Sequence, residues 1–142
     1  MSWMERPTLI RTLIVSSLIV FPLLARAEWE LISDRNDLEL VHYVDLQTTK
    51  QSGPMAIYRQ VQVLSQGPAV THGALSTQAL YEYDCMNAKV RILKISGFSE
   101  QWARGESIAV TPPSSLGQWL ALPGSPLGQK TLIMLCPGSG TN

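Results

Sequence analysis

Two cysteines, two histidines and one close pair of carboxylates are the residues of this chain whose chemistry is worth weighing first. Cys85 and Cys136 are the only cysteines. A redox couple wants a closely spaced pair, and these enclose a loop of about fifty residues, so a structural disulfide is expected, worth roughly 4 kcal/mol in the chain-entropy picture. Two free buried thiols or one catalytic thiol are the competing readings. His42 and His72 stand thirty residues apart, with neither a second histidine at helical spacing nor a cysteine free to ligate. A zinc site is therefore not expected, and no cofactor is assigned. One axial histidine suffices for haem, so ligation by His42 or His72 stays open.

Glu82 and Asp84 lie two apart, which puts both carboxylates on one side of a strand. They are expected to be solvated, with Lys89 or Arg91 of an adjoining strand as partners. Neither a nucleophile elbow nor a glycine-rich phosphate loop accompanies the serines, histidines and aspartates, and the chain does not read as an enzyme. Trp102 and Arg104 share a glycine- and proline-flanked loop, and are the candidate binding residues because aromatic and arginine side chains anchor interfaces. The competing reading folds Trp102 back onto the sheet.

The segments that must position these residues begin after a leader. Arg6 and Arg11 precede thirteen nearly unbroken apolar residues, Thr12 to Leu24, and Ala25-Arg26-Ala27 supplies a small-x-small cleavage site. As a helix that run covers roughly 20 Å, short of the roughly 30 Å of a hydrocarbon core. Residues 1–27 are thus expected to be a signal peptide, with an uncleaved anchor as the other reading and no stable membrane insertion after cleavage. No cysteine at the junction offers a lipid anchor.

Removal of Arg6, Arg11, Arg26 and Glu5 takes the chain from eleven basic and eleven acidic side chains to eight and ten. Without a basic stripe, nucleic acid is not an expected partner. Residues 28–136 then form one domain by length, and 137–142 read as a disordered tail.

Within the domain, Trp29 to Ile32 and Leu38 to Val44 read as strands around the polar turn Ser33-Asp34-Arg35-Asn36-Asp37. Met55 to Leu64 alternates through Met55, Ile57, Val61 and Val63, opposite Gln60 and Gln62. Leu75 to Cys85 alternates as well, with Leu75, Ala79, Tyr81, Tyr83 and Cys85 facing the core. Val90 to Phe98 returns as a hairpin partner, and its apolar phase shifts between Ile92 and Leu93, the mark of a bulge or of a strand covered on both faces. Short runs follow at Ser107 to Val110 and Gln118 to Leu122. Ser125 as cap, Pro126 in the first turn and Leu127, Leu132, Ile133 and Leu135 as a stripe then predict a helix ending at Cys136. The fold class is α+β: an antiparallel sheet of five or six strands with a C-terminal helix packed on one face and one disulfide.

Tyr43-Val44-Asp45, Tyr81-Glu82-Tyr83-Asp84-Cys85, Arg91-Ile92-Leu93, Trp119 with Pro123-Gly124-Ser125, and Cys136 occur in an order and spacing that resemble the surface-adhesin protein E family of bacterial exported proteins. The resemblance implies the same sheet, docked helix and disulfide, in a Gram-negative envelope or secreted setting. It also implies kinship with an adhesin that binds host matrix proteins. Tyr83 and Trp119 are read as core or rim, and Asp45 and Asp84 as strand-end residues tying turn backbone.

The functional expectation is an exported, non-catalytic module that contacts a matrix or envelope protein, with a homodimer through edge strands as one fitting arrangement. The alternative is a periplasmic accessory or stress protein without adhesin activity.

Overall fold

In a computed structural model of the chain, the described residues are 27–33, 40–67, 70, 73–122 and 126–138. Residues 1–26 of the expected leader, the polar turn at 34–39, His72, Pro123-Gly124-Ser125 and residues 139–142 of the expected tail lie outside them.

The described residues form a single antiparallel meander: β1 (Trp29–Ser33), β2 (Val41–Ser52), β3 (Tyr58–Gln66), β4 (Ser76–Asp84), β5 (Lys89–Phe98), β6 (Ser107–Ile108) and β7 (Leu120–Ala121), followed by α1 (Pro126–Leu135). Sheet order follows chain order from β1 to β6. The two-residue β7 also pairs with β5, at Lys89 and Val90, while β6 takes Gly97 and Phe98. The amide of Gly117 adds a 2.8 Å bond to the Ile92 carbonyl between these two short strands. The outer edge of β5 is thus covered at intervals instead of lying bare.

The register explains the alternation. Val61 pairs with Tyr81 and Val63 with Ala79, and both pairs face α1. Ile32, Val44, Val61, Val63, Tyr83 and Leu122 pack there against Leu132, Leu135 and Cys136. Each such side chain contributes about 1.5 to 3 kcal/mol by leaving water. Three irregularities bend the sheet. Ile32 interrupts the β1–β2 register, four residues of β2 between Asp45 and Lys50 face one of β3, and Leu93 is the extra residue between the Leu80–Lys94 and Tyr81–Ile92 pairs. The phase shift at Ile92-Leu93 is therefore a bulge.

Cys85 opens the tight turn after β4 and Cys136 follows α1 directly; the two are bridged, with Cα atoms 5.6 Å apart. That separation is normal for a disulfide. The bridge pins the end of the helix to one end of the sheet.

Some local expectations fail. The second strand runs twelve residues, to Ser52, well past Val44. Met55 belongs to no strand: Gly53 and Pro54 break the chain into a single 3-10 turn at Pro54–Ala56, and Met55 stands 91% exposed with positive φ. Leu75 precedes its strand and is exposed. On α1 the buried positions are Gly128, Thr131, Leu132 and Leu135, whereas Ile133 faces outward, since it is out of phase with the i, i+3, i+4 stripe.

Candidate functional site

The face of the sheet opposite α1 carries the polar side chains of β2 to β5, and an aromatic pair sits near each end. Tyr58 and Tyr43 project onto it six positions apart in the β3 frame, Tyr58 at the start of β3 and Tyr43 opposite Leu64. At about 3.4 Å per residue this places them roughly 20 Å apart.

Around Tyr58 the structure is closed. Its ring lies where a side chain on Gly53 would be, so only glycine, at φ 74°, admits it. Trp119 meets it at 5.0 Å and 53°, and the Arg91 guanidinium stacks 4.4 Å from the Trp119 ring. Beneath lies Glu82, only 3% exposed. Its carboxylate accepts from Arg91 Nε at 2.8 Å and Nη2 at 2.5 Å, from Gln60 Nε2 at 2.6 Å and from Ser52 Oγ at 2.7 Å. Burial alone would raise this carboxyl. The bonds from Gln60, Ser52 and Arg91, with the Arg91 charge, outweigh burial and hold it below the ordinary value.

Asp84 is also buried. It accepts the Met86 and Asn87 amides at 3.0 Å and the Asn87 side chain at 2.8 Å. Its burial is likewise outweighed, by these bonds and by the Lys89 charge. The expectation of solvated carboxylates is therefore corrected. The expected pairing of Arg91 holds for Glu82, and Asp84 ties its turn as expected. Asp45 binds the Gln47 amide at 3.1 Å from inside β2, at the bulge, and does not end a strand.

Around Tyr43 the structure is propped rather than closed. Trp102 meets Tyr43 at 4.8 Å and 54° and stays 37% exposed. Trp102 and Ala103 both have left-handed backbone, φ 63° and 54°. Such geometry in residues with a β-carbon costs roughly 1 to 2 kcal/mol each. Two buried side chains hold it: Gln66 Oε1 accepts the Trp102 amide at 2.9 Å, and Ser76 Oγ accepts the Ala103 amide at 3.0 Å while donating to the Glu100 carbonyl at 2.6 Å. Gly105, at φ 80°, packs against Ser99 and Glu100 too closely for any β-carbon. Arg104 is exposed, and among the described residues its side chain has no hydrogen-bond or ionic partner. Its carbonyl accepts the Glu100 amide at 3.1 Å.

Between the two ends runs an open groove of about 400 Å³ lined by Gln62, Gln78, Leu80, Lys94, Ser96 and Phe98. A smaller, apolar cavity of about 190 Å³ lies on the other face between the sheet and α1, where Gly128 and Thr131 leave room beside Tyr83.

His42 is half-buried, with Nδ1 2.8 Å from Ser65 Oγ, and burial lowers its pKa below the ordinary value. No cluster of three or more metal-ligating side chains occurs among the described residues. None of their helices is long and apolar enough to cross a membrane.

Sequence reasoning singled out Trp102 but not its props. Gln66 and Ser76 read as ordinary polar strand residues, and only the register brings them under the loop. The groove had a signal in Gln60 and Gln62, alternating with Val61 and Val63.

The sequence profile of the family described as surface-adhesin protein E matches residues 29–137. No curated protein matches the chain. Among solved structures, the fold resembles crystal form II of Haemophilus influenzae protein E, at TM-score 0.60 and 13% identity over 82% of this chain and 92% of that one. It also resembles the selenomethionine form of that protein, at TM-score 0.61 and 13% identity over 80% and 88%. The chain belongs to the surface-adhesin protein E family.

Proposed function

We propose that this member of the surface-adhesin protein E family is an exported, non-catalytic binding module whose contact point for a protein partner, in the host matrix or the cell envelope, is the loop bearing Trp102 and Arg104. The observation that carries the proposal is backbone strain beside an exposed aromatic ring. Two consecutive non-glycine residues adopt left-handed geometry, buried Gln66 and Ser76 hold them there, and Trp102 still leaves 37% of its surface in water. Strain kept in place by dedicated hydrogen bonds is the pattern of a pre-organised recognition loop. The neighbouring guanidinium of Arg104 supplies the second side-chain type that anchors interfaces.

The test has two steps. Cells expressing the native chain are treated with external protease and fractionated; accessibility at the surface is expected, and confinement to the periplasm overturns the matrix-binding form of the proposal. The purified protein is then screened for binding to immobilised matrix proteins. Trp102→Ala is expected to weaken binding at least tenfold, the effect of a hot-spot aromatic. Equal binding by the wild type and by a Trp102→Ala, Arg104→Ala double variant removes this loop as the contact point.

A further inference from the structure

The groove at the centre of the open face is lined by polar groups that the protein itself does not use. Gln60 and Gln66 of β3 are both spent internally, one on Glu82 and one on the Trp102 amide. Gln62, between them on the same face, has no side-chain hydrogen bond to any described residue, and neither do Gln78, Lys94 and Ser96 beside it. Leu80 and Phe98 complete the lining, so amides and apolar surface alternate within one concavity of about 400 Å³. That size is in the range of small-ligand sites.

The chemistry of the groove narrows its ligand. The floor consists of β3, β4 and β5, whose backbone groups are taken up by the ladders on either side. An extended peptide therefore finds no strand to pair with here. Each carboxamide offers two donors and an acceptor, a set that matches neighbouring hydroxyls, while Leu80 and Phe98 suit the C–H face of a sugar ring. Lys94 makes no ion pair among the described residues. Of the carboxylates on this face, Glu82 and Asp84 are engaged with Arg91 and with the Asn87 turn, while Asp45, opposite Gln62 in the register, is 2% exposed and accepts the Gln47 amide, which leaves Lys94 as the charged side chain of the groove lining.

We propose that this groove is a saccharide site for a carboxylate-bearing glycan chain, with Gln62 and Gln78 reading hydroxyls, Lys94 meeting the carboxylate, and Leu80 and Phe98 supporting the ring. The site is separate from the Trp102 loop, and its test leaves that loop intact.

The full exported protein is titrated calorimetrically with three probes: a hyaluronan tetrasaccharide carrying glucuronate, a muramyl disaccharide carrying a lactyl carboxylate, and neutral chitotetraose. Saturable binding of at least one acidic probe is expected. Preference for the first points to a matrix glycan and preference for the second to cell-wall fragments; either supports the site. The Gln62→Ala, Gln78→Ala double variant is expected to bind the acidic probe roughly tenfold more weakly, the equivalent of one net hydrogen bond. Lys94→Met is expected to abolish discrimination between acidic and neutral chains, and Lys94→Arg to retain it. Absence of saturation by either acidic probe at about 10 mM, beyond the weakest useful affinity, overturns the proposal. Undiminished binding by the folded glutamine double variant overturns it equally, and equal affinity for the neutral chain removes Lys94 from the site.

Discussion

The two tyrosine–tryptophan pairs on the open face have nearly the same ring geometry, 5.0 Å and 53° for Tyr58–Trp119 against 4.8 Å and 54° for Tyr43–Trp102, and entirely different surroundings. Trp119 is fastened by charge: Arg91 stacks on it and is itself held by the buried Glu82. Trp102 rides on left-handed backbone and is held only by neutral groups, Gln66 and Ser76, acting on main-chain amides. The same aromatic unit thus fastens the sheet at one end and is presented to solvent at the other. What separates the roles is whether the supporting hydrogen bonds go to a charged side chain or to a strained loop.

Breaking the fastened end should cost most. Glu82→Ala strands the Arg91 guanidinium over a site it no longer pairs with, and is expected to lower unfolding free energy by about 3 to 5 kcal/mol in a denaturant titration. The same carboxylate sets an acid limb. Its folded pKa lies below the ordinary 4.5, so its contribution is complete above that pH and disappears as pH falls through the folded value. Stability measured against pH should fall less steeply at the acid end for Glu82→Gln than for the wild type; parallel curves would show that Glu82 is not the titrating support.

At the propped end, Gln66→Ala leaves the Trp102 amide without its acceptor and is expected to cost about 1 to 3 kcal/mol while loosening the loop. Loss of the Trp102 near-ultraviolet dichroism should accompany it. Trp102→Ala removes an edge of the Tyr43 pair and should cost only about 1 kcal/mol, the reverse of its expected effect on partner binding. The smallest change has the opposite sign. Ala103→Gly relieves a β-carbon at φ 54° and is expected to raise stability by up to about 1 kcal/mol, read as an upward shift of Tm. A drop in Tm would mean that the left-handed turn carries no strain to relieve.

Much of the frame was legible because it rests on neighbours in sequence. Alternation placed Tyr81, Tyr83 and Cys85 on the helix side, and the slipped phase at Ile92-Leu93 marked a bulge that the register confirms. The errors came from contacts between distant strands. Glu82 looks like a solvated carboxylate from its own strand, because Ser52 and Gln60, which make burial tolerable, come from β2 and β3. Met55 was placed in a strand by its apolar character, although Gly53-Pro54 is turn chemistry. Ile133 was placed in the stripe by hydrophobicity instead of by helical phase. Trp102 was recognised as a contact candidate from composition alone; its strain is invisible until φ is known.

The order of the meander bears on how the protein is made. Every strand pairs with the one just before it in the chain, except β7, which skips only β6, so each newly emerging segment finds its partner already present. Synthesis supplies the chain at about 5 to 20 residues per second, and short-range pairing is the fast kind. The helix α1 reaches back furthest, to β1 and β2, and it arrives last. Cys85 therefore waits through the synthesis of β5, β6 and β7 before its partner exists. The bridge is thus the late covalent step of the fold, tying the end of α1 to the turn after β4 across 51 residues of chain.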